Sequence, residues 1–441
     1  MAFEVVDGGL DFALPRVVRV RQRFERPREA PVAEAVGREM RRLDGRVRPG
    51  MRVAVGVGSR GVARIAEVAR AVVDELTRRG ARSFVVPAMG SHGGATPEGQ
   101  LEVLASYGVT PEAMGVPFDA SMDTVELGRT PSGFPVHMGR AAAQADAVLP
   151  VNRVKVHTDF HGPVESGLCK MLVIGFAKQR GARLTHKQGF DRFHELVPEA
   201  ARLVLGTGKV LGGVATVEHA GEDVARLEVV PPDAILEREP QLLEESRRLM
   251  PKIPFDRLDV LVVDHLGKDI SGAGMDPNVT GRYTVRHIVD PRNPQKLVVL
   301  RLTERTHGNA CGLGLADVTT RAVVENVDFQ KYWTNIITST ELGGGKTPIW
   351  MTNDRQAIAL ALATANRAEP ASARLVRLHS TLHLEEMSVS EALWEAEGRL
   401  SPGLEALGRP EPMRFTADGH LADLPLPTFR HGLAAWAGVG V

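Results

Sequence analysis

Four side chains able to do chemistry crowd into one stretch of this chain. His157, His161, Lys170 and His186 fall within VKVHTDFHGPVESGLCKMLVIGFAKQRGARLTHKQGF, residues 154–190, interleaved with Gly162, Gly167, Gly175, Gly181 and Gly189. A strand that ends in histidines and feeds a helix carrying a lysine is a place where protons can be moved and a ligand held. The competing reading is plain structure: a snorkelling lysine, and histidines that cap or pair.

Other stretches offer weaker signals. His92 lies among glycines in AMGSHGGAT, where histidine is ordinarily a turn residue. Gly56, Gly58 and Gly61 form a GxGxxG in GVGSRG, after a strand and before a helix, as a dinucleotide fingerprint requires. The next strand, SFVVPA, ends without the acidic residue that would bind a ribose hydroxyl, and Arg60 stands where the pyrophosphate should approach the backbone. Gly345, Lys346 and Thr347 mimic the end of a P-loop, but Thr340 replaces the first glycine and a strand-like IWMT follows instead of a helix. That motif is rejected. His265 and Lys268 follow the strand LDVLVVD, and His307 and Asn309 sit in the polar loop THGNACGLGLAD, where helix capping is the bland alternative.

The elements that must position these residues read as α/β. RVAVGVGSRG is a strand running into glycines, and VARIAEVARAVVDELTRRG an amphipathic helix ending at Gly80. SFVVPAMG is the next strand, and TPEGQLEVLASYG a helix capped by Thr96 with Pro97 at its first position. AVLPVN is a buried strand leading into the histidine stretch. VESGLCKMLVIGFAK has helical length, with Glu165 and Ser166 suited to its first turn. Strand–helix alternation predicts a parallel sheet with ligands beyond its carboxyl ends, where both Arg60 and His92 fall. VLGGVATVEHAGEDVARLEVV predicts a hairpin turning at Ala220, Gly221 and Glu222. DAILEREPQLLEESRRLM marks a junction whose Pro240 argues against one unbroken helix. A second α/β unit follows through LDVLVVD, KLVVLRL, a helical ADVTTRAVVENV, PIWMT, NDRQAIALALATAN and ARLVRLHS. Residues 1–50 read as Arg-rich and irregular apart from a helix near APVAEAVGREMRRL. The Pro- and Gly-rich tail from Pro402 is expected to drape over the surface.

Composition narrows the function classes. The 441 residues suffice for two or three domains. Lys and Arg balance Asp and Glu at 54 each, so no basic footprint favours nucleic acid or an anionic membrane. There is no apolar run of about 18 residues to span a bilayer, and MAFEVVDGGLDF lacks a signal-peptide pattern. Two cysteines, Cys169 and Cys311, make neither a disulfide framework nor a thiolate zinc site. A cytoplasmic enzyme is expected.

The stretch KVHTDFHGPVESGLCKM, with a histidine sixteen residues beyond the lysine, resembles the nickel-pincer lactate racemase family. The loop containing Ala88, Gly90, Ser91, His92, Thr96 and Glu98 is similar to that family's A-x-G-[TS]-H segment. The resemblance covers most of the first 250 residues and weakens beyond. It implies that Lys170 carries a covalent pyridinium-3-thioamide-5-thiocarboxylic acid mononucleotide, that His186 completes its nickel coordination, and that His92 is one of two acid/base histidines. The other is His157 or His161; VHTDF favours His157. Arg60 would grip a substrate carboxylate, as a guanidinium fork does well. The family's Gln and Lys of the second domain align with Gly274 and Pro277, so Lys268 is taken as the substrate contact there.

The expectation is therefore two α/β domains, 1–250 catalytic and cofactor-binding and 251–441 closing over the substrate, with the active site in the cleft between them. The implied activity is racemisation or epimerisation of a small 2-hydroxy acid by hydride transfer to and from the nickel-pincer nucleotide, with cofactor-biosynthesis enzymes as partners. Hydride chemistry suits the problem, because histidine is a poor base for a C–H beside a carboxylate, and an electron sink must come from a cofactor. Nickel(II) favours square-planar coordination, and a cofactor with three donors leaves one protein histidine to supply. Two alternatives remain: an NAD-dependent 2-hydroxyacid dehydrogenase, and a non-catalytic homologue that only binds the cofactor.

Overall fold

The computed structural model describes residues 9–58 and 61–427. Its strands, in chain order, are β1 (Val17–Gln22), β2 (Arg52–Val57), β3 (Arg82–Pro87), β4 (Thr124–Arg129), β5 (Pro135–Gly139), β6 (Ala147–Arg153), β7 (Gly213–Glu218) and β8 (Val224–Val230). They continue as β9 (Val260–Leu266), β10 (Lys296–Leu302), β11 (Val318–Thr320), β12 (Ile349–Met351), β13 (Leu375–Ser380), β14 (His383–Ser390) and β15 (Leu404–Ala406). The fold is mixed α/β and divides into two compact units. One holds residues 25–250, and the other joins 251–427 to the N-terminal segment ending at Phe24.

The first unit is built on a sheet in the order β3-β2-β6-β7-β8, parallel except for the β7–β8 hairpin. Helix α1 (Ile65–Arg78) buries Ile65, Val68, Ala69, Val72, Val73 and Leu76, the apolar stripe its sequence spacing predicts. Its chain reverses at Gly80, whose positive φ of 82° suits glycine. Helix α2 (Pro97–Ser106) starts as expected, with the Thr96 hydroxyl accepting from the Gly99 amide at 3.1 Å. Because β2, β3 and β6 run parallel, the loops after Val57, Pro87 and Arg153 emerge at one edge. Helices α3 (Lys178–His186), α4 (Phe193–Gly206) and α5 (Ile235–Leu249) complete the elements that matter for the site.

The second unit has an eight-stranded sheet, β12-β11-β10-β9-β13-β14-β1-β15. Three expectations are corrected here. Residues 17–22, VVRVRQ, are not irregular but a strand pairing antiparallel with β14 and β15; its arginines alternate outward while Val18 and Val20 are fully buried. ADVTT is not helical: Val318–Thr320 form the buried strand β11, and only a four-residue helix follows. The tail beyond Pro402 is woven in, with β15 on β1 and with Leu421 and Leu424 in the core. In the first unit, α5 also runs unbroken through Pro240. That proline is the sixth residue of the helix and forfeits one i→i−4 hydrogen bond, which is offset by a face that buries Leu242, Leu243, Ser246 and Leu249.

Helices α6 (Phe329–Ser339) and α7 (Asp354–Ala363) belong to the second unit. At the start of α7, Asp354 is fully buried and takes two hydrogen bonds from the Arg301 guanidinium of β10, each 2.7 Å, plus one from the Leu421 amide at 2.9 Å. Asp354→Ala should strand the buried Arg301 charge and cost ~3–5 kcal/mol. Trp333, Trp350 and Trp394, the tryptophans among the described residues, all lie in this unit, so their fluorescence during urea unfolding reports it. An unchanged midpoint would show that the pair is dispensable.

Candidate active site

Lys170 stands at the carboxyl edge of the first unit's sheet. After β6 the chain makes a loop closed by backbone hydrogen bonds between Lys155 and Ser166, 2.8 and 3.1 Å. Glu165 and Ser166 therefore precede the helix instead of opening it, and the helix begins at Leu168. Its start is pinned by the buried Glu239 of α5, which accepts from the Cys169 amide at 2.8 Å. Only glycine fits at 167, since a Cβ there would lie 2.0 Å from Glu239 Oε1. Burial pushes the Glu239 carboxyl up to about 7.

The Lys170 ammonium position meets His157 Nε2 directly, 5.7 Å from the Phe160 ring centroid. His157 Nδ1 accepts the Asp159 amide hydrogen at 3.0 Å. With Nδ1 used as acceptor, the neutral ring carries its hydrogen on Nε2 and can donate it to Lys170 Nζ. That pattern suits a lysine present as an amine, the form that bonds to an acyl carbon.

Glu165 holds this loop in place. Its fully buried carboxylate takes the His157 amide at 2.5 Å and the Gly162 amide at 3.3 Å, and is ion-paired to Arg247 of α5 at 2.5 Å. His161 turns its Nδ1 to the same carboxylate at 3.3 Å. The two neighbouring histidines are thus separated by role: His157 touches Lys170, and His161 faces Glu165.

Beyond Lys170 the helix changes pitch. The Phe176 amide bonds to the Met171 carbonyl at 2.9 Å, an i→i+5 turn over Met171–Gly175, and α3 then starts at Lys178. His186 ends α3. Its Nδ1–H donates to the Ala182 carbonyl at 2.7 Å, which leaves the Nε2 lone pair for a metal. Burial lowers the His186 pKa, and a proton on Lys170 would push the same way, so the ring is held in the neutral, ligating form. Phe160, Phe190 and Phe193 form the wall that joins the histidines. The His157 ring lies 4.5 Å from Phe160 and 6.1 Å from Phe190; His186 lies 5.5 Å from Phe190 and 5.6 Å from Phe193. Sequence reasoning missed this wall, although Phe190 and Phe193 are spaced three apart as one helical face requires.

His92 lies on the loop after β3, exposed, with its carbonyl accepting from the buried Gln100 side chain at 3.3 Å. That loop docks on the Lys170 helix at Gly90, whose amide donates to the Gly175 carbonyl at 3.1 Å. A Cβ on Gly90 would come within 3.2 Å of Ala182 and 3.3 Å of the Ile174 carbonyl. Arg60 lies outside the described residues. Lys268 belongs to the second unit, in the loop after β9, where it donates to Gly272 at 2.5 Å and Asn335 at 2.8 Å. Nearby on β9, burial pushes the His265 pKa down to about 4, with its ring 4.7 Å from His379. Asn309 caps its own turn by accepting from the Cys311 amide at 3.1 Å.

The dinucleotide reading loses its physical basis at Gly56, where a Cβ would sit 2.2 Å from the Phe176 ring. This glycine makes room for an aromatic side chain of the Lys170 segment. Among the described residues no group of three or more His, Cys, Asp or Glu converges as a metal site. With Nδ1 engaged by the Ala182 carbonyl, His186 Nε2 is the atom that the sequence resemblance offers to a metal.

The His186 tautomer is directly measurable. Nitrogen-detected NMR of the apoprotein should show hydrogen on Nδ1 and a ring titrating below an ordinary histidine. Hydrogen on Nε2 would disqualify it as a metal ligand.

Residues 17–194 match the model of the lactate racemase N-terminal domain family. Among solved structures, the lactate racemase apoprotein from Thermoanaerobacterium thermosaccharolyticum is similar, with 11% identity, a TM-score of 0.45, and coverage of 81% of this chain and 87% of that one. No curated protein matches the chain. The family match contains His92, His157, Lys170, His186, Phe190 and Phe193, and over residues 17–194 the chain is similar to lactate racemase N-terminal domains.

Proposed function

We propose that the chain is a racemase or epimerase of a small 2-hydroxy acid, working with a nickel-pincer nucleotide bonded to Lys170. The observation that carries this reading is the contact of Lys170 Nζ with His157 Nε2, one aromatic wall away from a histidine whose Nδ1 is bonded to a backbone carbonyl. Lys170 would hold the nucleotide through a thioamide and His186 would ligate its nickel. When bound, the group supplies an acceptor for the hydrogen on the substrate's C2, the electron sink that histidines alone lack.

The protein's own residues do the rest. Once the Lys170 nitrogen is part of a thioamide, its lone pair is delocalised and it no longer accepts from His157 Nε2. That ring nitrogen then faces the substrate hydroxyl oxygen: the imidazolium gives a proton from Nε2, and the neutral ring takes one there when its own hydrogen is on Nδ1, which gives up the Asp159 amide. A charged His157 is supported by the Asp159 carboxylate, 3.8 Å from Nδ1. His92 is assigned the same task on the other face, since the hydroxyl lies on opposite sides in the two configurations. Phe160, Phe190 and Phe193 exclude water from the neighbourhood of the reacting hydrogen. Arg60 is assigned to the substrate carboxylate, Lys268 to a further substrate contact, and cofactor-making enzymes would load the protein. No helix among the described residues is long and apolar enough to cross a membrane.

Two tests follow. After co-expression with cofactor-making enzymes, peptide mapping should place the added mass on the Lys170 peptide; Lys170→Ala should lose it, and His186→Ala should keep the adduct but lose nickel. A full adduct on Lys170→Ala rejects the attachment site. With loaded enzyme, a 2-hydroxy acid deuterated at C2 should yield its epimer with deuterium retained. His92→Ala and His157→Ala should each slow both directions by about 10²–10⁴-fold. Complete exchange of the deuterium with solvent would mean a carbanion route and sink the reading, and stoichiometric NADH formation would revive the dehydrogenase.

A further inference from the structure

A lysine that the proposed chemistry does not use is buried beside the site. Lys178 is 1% exposed, at the start of α3, with a positive φ of 54°. Both features are costly: an ammonium out of water and a left-handed backbone for a long side chain. Burial pushes the Lys178 amine down to about 8. A leucine or methionine would fill such a place at less cost, unless the amine is needed for what it holds.

What it holds is the end of β3 and one buried glutamine. Lys178 Nζ donates to the Pro87 carbonyl at 2.8 Å and to Gln100 Oε1 at 3.2 Å. Gln100 is fully buried. Its amide group, fixed in orientation by the lysine at the oxygen, donates from Nε2 to the carbonyls of Gly90 at 3.0 Å and His92 at 3.3 Å. Glycine at 139 makes room for the lysine stem, since a Cβ there would sit 3.3 Å from Lys178 Cε. An unbroken chain of hydrogen bonds therefore runs from the helix that ends in His186 to the backbone of His92. The loop is also tied at Gly90, whose amide donates to the Gly175 carbonyl at 3.1 Å, but beyond that point Gly93 and Gly94 take positive φ and Gly93–Ala95 is a single 3-10 turn.

We propose that Lys178 and Gln100 are a positioning pair that sets His92 against the Lys170–His186 helix. The inference rests on the reading of His92 as an acid/base group and deepens it. Misplacing a catalytic group by about 1 Å can cost roughly 10²-fold in rate, so small slack in this loop would be felt in turnover and not in cofactor loading.

Gln100→Glu is the discriminating variant, because it keeps an acceptor for Lys178 but removes the donor to Gly90 and His92. Gln100→Met and Lys178→Met break the chain at each link. In loaded protein, each should keep its Lys170 adduct, its nickel and a KM near that of the unaltered enzyme, while kcat falls by about 10–10²-fold. In apoprotein, hydrogen exchange of the peptide spanning residues 88–96 should quicken, with β2 and β6 unchanged. Should Lys178→Met fail to fold, Gln100→Glu alone decides. Unchanged kcat and unchanged exchange in Gln100→Glu overturn the proposal, as would a loss of nickel that tracks the loss of rate. If His92→Ala itself stays active, the assignment of His92 is what fails; the exchange measurement still decides whether the pair holds the loop.

Discussion

A buried carboxylate without enough partners would be intolerable, and Glu165 is where this site meets that constraint. Its charge is matched by Arg247, and its two oxygens are used by the amides of His157 and Gly162 and the ring of His161. The loop from 155 to 166 takes its shape from satisfying that one group. His157 is aimed at Lys170 because its backbone is fixed there. Helix α5 is the counterpart: Arg247 answers Glu165, and Glu239, two turns earlier, seats the start of the Lys170 helix. A helix that reads in sequence as a charged junction is the back support of Lys170.

The second determinant is clearance. Gly56 gives way to Phe176, Gly167 to Glu239, Gly175 to the Ala88 carbonyl and Gly90 to Ile174 and Ala182. Each lets a strand end or loop come closer to the Lys170–His186 segment than a side chain would allow. The glycines scattered through residues 154–190 look like a flexible, ligand-cradling stretch, but in the fold they are contact surfaces. This is also why a formal dinucleotide motif arises: a glycine demanded by packing is indistinguishable in sequence from one demanded by a phosphate.

Much of this was legible in the residues. The β2–α1–β3–α2 succession, the Thr96 cap and the hairpin near Gly221 follow from local chemistry, and local chemistry placed them. The grouping of His157, Lys170 and His186 was readable from spacing on a strand–loop–helix. What could not be read is what depends on distant partners. Glu165 looks like a first-turn helix residue until Arg247, 82 positions away, is seen beside it. The strand at 17–22 carried its signal in the alternation of Val18 and Val20 with Arg19 and Arg21, yet it lies in an Arg-rich stretch, and its partners lie some 370 residues on. Pro240 was over-weighted, because a local rule about helix breaking yielded to a buried face.

The change of pitch at Met171–Gly175 bears on how the sixteen residues between Lys170 and His186 should be understood. On a straight α-helix, at about 100° per residue, that interval would set the two side chains about 160° apart, on opposing faces. The wider turn, the two residues after it and the left-handed Lys178 interrupt that helix, so Lys170 and His186 stand on two separate helical pieces and not on one axis. The interval is thus an arithmetic of the irregularity and not of the helix. Gly175 and Gly181 within it have no room for a Cβ, and a one-residue insertion or deletion would shift one partner against the other. Length and identity together fix how lysine and histidine stand along this segment.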